Sequence, residues 1–189
     1  MKRTLVLGTA TLLLGAATVL LTPGVANAEE TSCTGTIGAA THDNIRVPDG
    51  ATCTLMDTIV LGTVYVGTNS TLKATGVSVN GNIQGEGSRL VSVGRGSSVG
   101  GSVQVVQGAR ATVTRAAVSG DILYDDQTGA VSASRSTVGG NVQAFSNTGG
   151  VSFVGNEIDG NLQCTGNSPA PTGSGNIVHG EKQDQCANL

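Results

Sequence analysis

Acidic and basic side chains are sparse in this chain, and few of them fall close enough together to act as a group. Asp121, Asp125 and Asp126 form the one acidic cluster, with Arg115 and Arg135 flanking it. Several carboxylates beside an arginine suit a calcium-assisted proton abstraction, but calcium takes about six to eight oxygen ligands. The run that follows, Gln127-Thr128-Gly129, also reads as an ordinary polar turn. Ser119, Asp159 and His179 are the residue types of a nucleophilic triad, although 40 residues separate the serine from the aspartate. His42-Asp43 is an isolated pair. Whether any of these groups meet depends on the elements that carry them.

A repeat sets those elements. The motif aliphatic-x-Gly-x-aliphatic recurs at Gly62, Gly81, Gly101, Gly120, Gly140, Gly160 and Gly180, at spacings of 19 or 20 residues. Examples are Val79-Asn-Gly-Asn-Ile83 and Val138-Gly-Gly-Asn-Val142. A fixed period in this range marks an architecture whose units bury their apolar faces only by stacking on each other. Aliphatic residues at every second position give the period of a strand, and the abundance of glycine and β-branched residues argues against helix. A leucine-rich repeat would need a Leu-x-x-Leu-x-Leu ladder, which is missing. The sequence therefore predicts an all-β fold: a single-stranded parallel β-helix, or β-solenoid, of ~20 residues per coil. About eight coils at ~4.8 Å would make a rod roughly 38 Å tall. Leu72-Lys-Ala74, Val113, Val131 and Val151 supply its further sides. Right-handed winding is expected, because the six-residue repeat of the left-handed type does not divide twenty.

This geometry separates the triad candidates. Ser119 and His179 would lie three coils apart, roughly 14 Å, so no catalytic residue is assigned, whereas Asp159 and His179 should form a surface ion pair. No metal site or cofactor is assigned either. The four cysteines allow three pairings, and the coil selects one. Cys33 and Cys53 are 20 residues apart and Cys164 and Cys186 are 22 apart, so each pair spans about one coil. Two disulfides, one pinning each end of the rod, are predicted, each contributing roughly 3 kcal/mol. A four-cysteine zinc site would need opposite ends of the rod to meet.

Aligned on their glycines, the units place Thr63, Asn82, Ser102, Asp121, Asn141, Asn161 and Glu181 in one outward column. Two positions on, Tyr65, Gln84, Gln104, Leu123, Gln143, Gln163 and Gln183 form a second. The favoured role of these polar ladders is stabilisation of the stack by side-chain hydrogen bonds. The functional alternative is a docking face for a polymer such as a cell-wall glycan, weakened by the single aromatic, Tyr65, in either column. Asn167 to Asn176 carries two prolines and is expected as an exposed loop.

The chain begins with Lys2 and Arg3, an apolar run from Leu5 to Leu21, and Ala26-Asn27-Ala28. This is the layout of a secretory signal peptide over 1–28, leaving a solenoid domain over 29–189 with no membrane anchor after cleavage. Both N-terminal basic residues would be lost, so eight basic residues face thirteen acidic ones and the formal charge becomes −5. With its arginines scattered singly, such a chain is not expected to bind nucleic acid.

Gly-Asn-Ile-Gln at 81–84, Gly-Ser-Val-Gln at 101–104, Gly-Asn-Val-Gln at 140–143 and Gly-Asn-Leu-Gln at 160–163, together with the export signal and the terminal cysteine pairs, resemble secreted right-handed β-helix proteins of actinobacteria. The resemblance implies a fold and an extracellular or wall-associated location, and no catalytic residues. The polymer-forming bactofilins are more distantly similar. The expected function is a non-enzymatic structural or binding rod at or near the cell envelope, acting on a cell-wall polymer or by self-association. One alternative is a polysaccharide lyase, since some β-helix lyases use calcium, aspartates and an arginine base. Another is ice binding, suggested by Thr112-Val-Thr114 and Ser132-Ala-Ser134, against which Lys73, Arg89 and Val91 are read as interruptions.

Overall fold

The computed structural model describes residues 29–189, and the predicted signal peptide over 1–28 lies outside the described residues. The chain winds through three parallel sheets that form the sides of a prism. Face 1 has nine strands, from Glu30–Ser32 to Lys182–Asp184. Face 2 has eight, from Thr36–Ile37 to Thr172–Ser174, and face 3 has eight two-residue strands, from Thr41–His42 to Ile177–Val178. Seven turns separate the first and last strands of faces 2 and 3. After a shorter first coil, in which Glu30 pairs with Asn44 and Thr36 with Thr54, the register advances by 19 or 20 residues, so Ile83 pairs with Val103, Val103 with Ile122, and Ile122 with Val142.

Alternation along each strand sends one set of side chains to a shared axis. Val64, Ile83, Val103, Ile122, Val142 and Leu162 line face 1 from within, Leu72, Val91, Ala111, Val131 and Val151 line face 2, and Val60, Val79, Val99, Val118, Val138 and Ile158 line face 3, all of them buried. Each valine so placed contributes about 1.5–3 kcal/mol relative to exposure, which an isolated coil could not collect. Two aromatic residues, Tyr124 and Phe153, are wholly buried. The Tyr124 hydroxyl donates to the Ser132 carbonyl at 2.9 Å, and burial pushes its pKa far above the ordinary tyrosine value.

The recurrent glycine motif is not one strand. Val79 ends a strand of face 3 and Ile83 begins a strand of face 1, so the glycine and its neighbours form the corner between them. The other two corners each use a residue in the left-handed region. Examples are Gln107, Asp126 and Ser146 between faces 1 and 2, and Arg115 and Arg135 between faces 2 and 3. The residue after each turns inward, and in the lower coils it is an asparagine.

The two disulfides join Cys33 to Cys53 and Cys164 to Cys186, with Cα separations of 5.4 and 5.2 Å. All four cysteines are buried at the ends of the stack, where a coil has one neighbour instead of two. The segment from Asn167 to Asn176 departs from the expected exposed loop. Its terminal asparagines are buried in the corners, Pro171 is buried, and Thr172–Ser174 completes face 2 with Thr172 and Ser174 exposed on it, while Ser168, Pro169 and Ala170 form an exposed bulge ahead of that strand. The prolines sit ahead of the strand, where their missing N–H costs no ladder hydrogen bond.

Candidate functional site

The column after the corner glycines is consumed by the fold. Asn82 Oδ1 accepts the backbone N–H of Ser102 at 2.8 Å, Ser102 Oγ that of Asp121 at 3.0 Å, Asp121 Oδ1 that of Asn141 at 2.6 Å, and Asn141 Oδ1 that of Asn161 at 2.9 Å. Asn161 continues to Glu181 at 2.9 Å. Each side-chain oxygen thus satisfies a corner N–H on the next coil. The glycine beside it is required because a Cβ would occupy the same space: at Gly160 it would stand 2.6 Å from both Asn141 Oδ1 and the Gly140 carbonyl.

The same geometry disperses the acidic cluster. Asp121 belongs to the corner ladder, Asp125 points outward at the far end of the strand Ile122–Asp125, and Asp126 forms the next corner. Four residues of extended chain put Asp121 and Asp125 roughly 13 Å apart. Among the described residues, no group of three or more His, Cys, Asp or Glu side chains is disposed to hold a metal ion. On face 3, His179 Nε2 lies 3.6 Å from Glu157 and 3.9 Å from Asp159, all solvent-exposed. Ser119 stands three rungs away in the same column.

Two buried ladders carry signals that the sequence reading did not use. Asn147 Oδ1 accepts from Gln127 N at 3.0 Å, and Asn167 Oδ1 from Asn147 N at 3.1 Å. In the other corner, Asn156 Oδ1 accepts from Ser136 N and Asn176 Oδ1 from Asn156 N, both at 3.1 Å. The amide nitrogens return to carbonyls of the coil before, Asn156 Nδ2 to Ala133 at 2.8 Å among them. The 20-residue spacings of Asn147 and Asn167, and of Asn156 and Asn176, would have revealed them.

Outward columns that continue over several rungs run along the outer surfaces of faces 1 and 2. On face 1, Gln84 Nε2 donates to Gln104 Oε1 at 3.4 Å, Gln143 Nε2 to Gln163 Oε1 at 2.8 Å, and Gln163 Nε2 to Gln183 Oε1. The amide run is broken at Leu123, so Gln104 presents its amide N–H groups and Gln143 its carbonyl oxygen on either side of an apolar residue. Tyr65 starts the column with the Arg46 guanidinium over its ring, 5.1 Å from the centroid, and Arg46 is itself paired with Glu30 at 2.7 Å. Two residues farther along the strands runs another outward column, Glu86, Val106, Asp125, Phe145 and Thr165. Phe145 is therefore a second outward aromatic on the same face. Between the two columns, Tyr65, Gln84, Glu86, Gln104, Val106 and Leu123 line an open groove of about 490 Å³.

On face 2, two of the three expected interruptions are elsewhere. Val91 is buried in the core and Arg89 precedes its strand, leaving Lys73 in the outward column.

Comparison with protein-family models, with curated proteins and with solved structures finds no match to this chain. None of these comparisons supports the resemblance to actinobacterial secreted β-helices or to bactofilins, and what stands is the parallel β-solenoid.

Proposed function

We propose that the protein is exported through the signal peptide at 1–28 and acts outside the cell as a non-enzymatic, right-handed β-solenoid rod that binds a wall glycan along face 1. The single observation that carries this reading is the division of its four aromatic residues. Tyr124 and Phe153 fill the core, while Tyr65 and Phe145 both stand on the outer surface of face 1, beside unspent amide groups. Aromatic rings at a wet surface offer an apolar plate to the C–H face of a sugar, and amides at the break around Leu123 can both donate to and accept from its hydroxyls. Four rungs separate Tyr65 from Phe145, or roughly 19 Å, a span that fits an extended oligosaccharide lying along the rod. Two disulfides accord with an oxidising, extracellular setting.

Co-sedimentation with purified, insoluble cell-wall polysaccharide tests this. Wild type should be retained, and the Tyr65→Ala/Phe145→Ala double variant should pass into the supernatant with its disulfides intact. Equal retention of both proteins, or none of either, would remove the basis for the reading. A lyase would instead release unsaturated product absorbance from acidic glycans, with Asp121→Ala suppressing it.

A further inference from the structure

Face 2 carries an order that the glycan reading does not use. Its middle outward column runs Ser92, Thr112, Ser132, Ser152 and Thr172, and the column two residues farther on runs Gly94, Thr114, Ser134, Val154 and Ser174. Ten positions on five successive rungs thus hold eight hydroxyls, one glycine and one valine, with no charge among them. Parallel in-register pairing fixes their spacing at ~4.8 Å between rungs and ~6.6 Å along each strand. Neighbouring hydroxyls are in reach of one another: Thr112 Oγ1 donates to Ser92 Oγ at 3.1 Å and Ser134 Oγ to Thr114 Oγ1 at 3.3 Å. The column on the other side, Leu90, Arg110, Ala130, Gly150 and Ala170, becomes small and uncharged over its last three rungs. Arg115 and Arg135 stand at the corner that borders the array.

We infer that this hydroxyl array is an ice-binding surface. A discrete soluble ligand is recognised by a concave site with convergent polar groups. A grid with two fixed repeats instead matches a partner that is itself periodic. Short side chains lose little rotamer freedom when a lattice forms against them, and threonine's χ1 is already restricted. The absence of charge matches a neutral lattice, and the mixture of hydroxyls with Thr methyl groups, Val154 and Gly94 can anchor ordered water without dispersing it. Both repeats approach oxygen spacings on a prism face of hexagonal ice. Ice also satisfies donors and acceptors in the same plane, as this mixed hydroxyl surface requires.

The test uses the oxidised, purified protein, fluorescently labelled, with a single ice crystal grown in its solution and thermal hysteresis read in parallel. Wild type should enter the ice and depress the freezing point below the melting point. Thr112→Lys/Ser132→Lys should lose both properties. Lys73 already occupies this column without breaking the stack, so the variant should fold, and Thr172→Lys, at an exposed rung, repeats the test independently. Gln143→Lys, on face 1, should retain ice binding while adding the same single charge as Thr172→Lys. Exclusion of wild type from ice would overturn the inference, as would equal loss in the face 1 and face 2 variants. Retention on microcrystalline chitin or cellulose without entry into ice would overturn it too, and that outcome is separable from the glycan reading by the Tyr65→Ala/Phe145→Ala variant.

Discussion

Replacing Gly160 by alanine tests the central physical claim, that each corner glycine exists to let one coil sit on the next. The added methyl carbon would lie 2.6 Å from Asn141 Oδ1, 2.6 Å from the Gly140 carbonyl oxygen and 2.8 Å from its carbon. Two of these three atoms are backbone, so relief requires the coils to part. Overpacking of this kind costs about 1–3 kcal/mol. Parting the coils also weakens two hydrogen bonds, Asn161 N to Asn141 Oδ1 at 2.9 Å and Gly160 N to the Gly140 carbonyl at 3.0 Å, at about 1 kcal/mol each. The expected destabilisation is therefore about 3–5 kcal/mol. Gly38→Ala is the control, because a Cβ there meets nothing within 4 Å and the backbone is not in the left-handed region. That change should be neutral, or stabilising by about 0.4–1 kcal/mol through the unfolded chain. Urea unfolding followed by far-ultraviolet circular dichroism measures both as midpoint shifts at constant slope. Equal midpoints for the two variants would refute the reasoning.

Three further outcomes follow from the buried groups. Asn156→Ala should cost about 2–4 kcal/mol, since it strands the Ser136 N–H and the Ala133 carbonyl in the interior, and urea titration should show it. Cys164→Ser/Cys186→Ser should cost roughly 3 kcal/mol, with hydrogen exchange accelerating in the last coils and unchanged around Cys33 and Cys53. Tyr124 gives a pH dependence: its folded pKa is raised, so above the unfolded value near ~10 the unfolded chain holds fewer protons than the native one. Stability fully present below that pH should fall by up to about 1.4 kcal/mol per pH unit as pH rises further; Tyr124→Phe should abolish that slope while losing about 1 kcal/mol at neutral pH with the hydrogen bond to Ser132.

The solenoid, its coil length and the pairing of Cys33 with Cys53 and Cys164 with Cys186 were all legible in the order of residues along the chain. In a stack, one period fixes which residues are neighbours, and 20 residues of separation become about 5 Å of space. That order could not determine where each coil bends. Val79 and Ile83 look like one alternating strand, and only the three-dimensional path shows the corner between them, because inward positions keep an even spacing across it. That ambiguity had consequences for the sites. It hid Phe145 as an outward companion of Tyr65, counted Val91 as an outward interruption when it faces the core, and left Asp121 grouped with Asp125, although the first sits in a corner and the second at the far end of the strand that leaves it. Side-chain direction in a β-solenoid depends on the distance of a residue from the nearest bend, and bends are set by left-handed backbone at residues as varied as Arg115, Asp126 and Ser146, which share no chemical type for a sequence pattern to find.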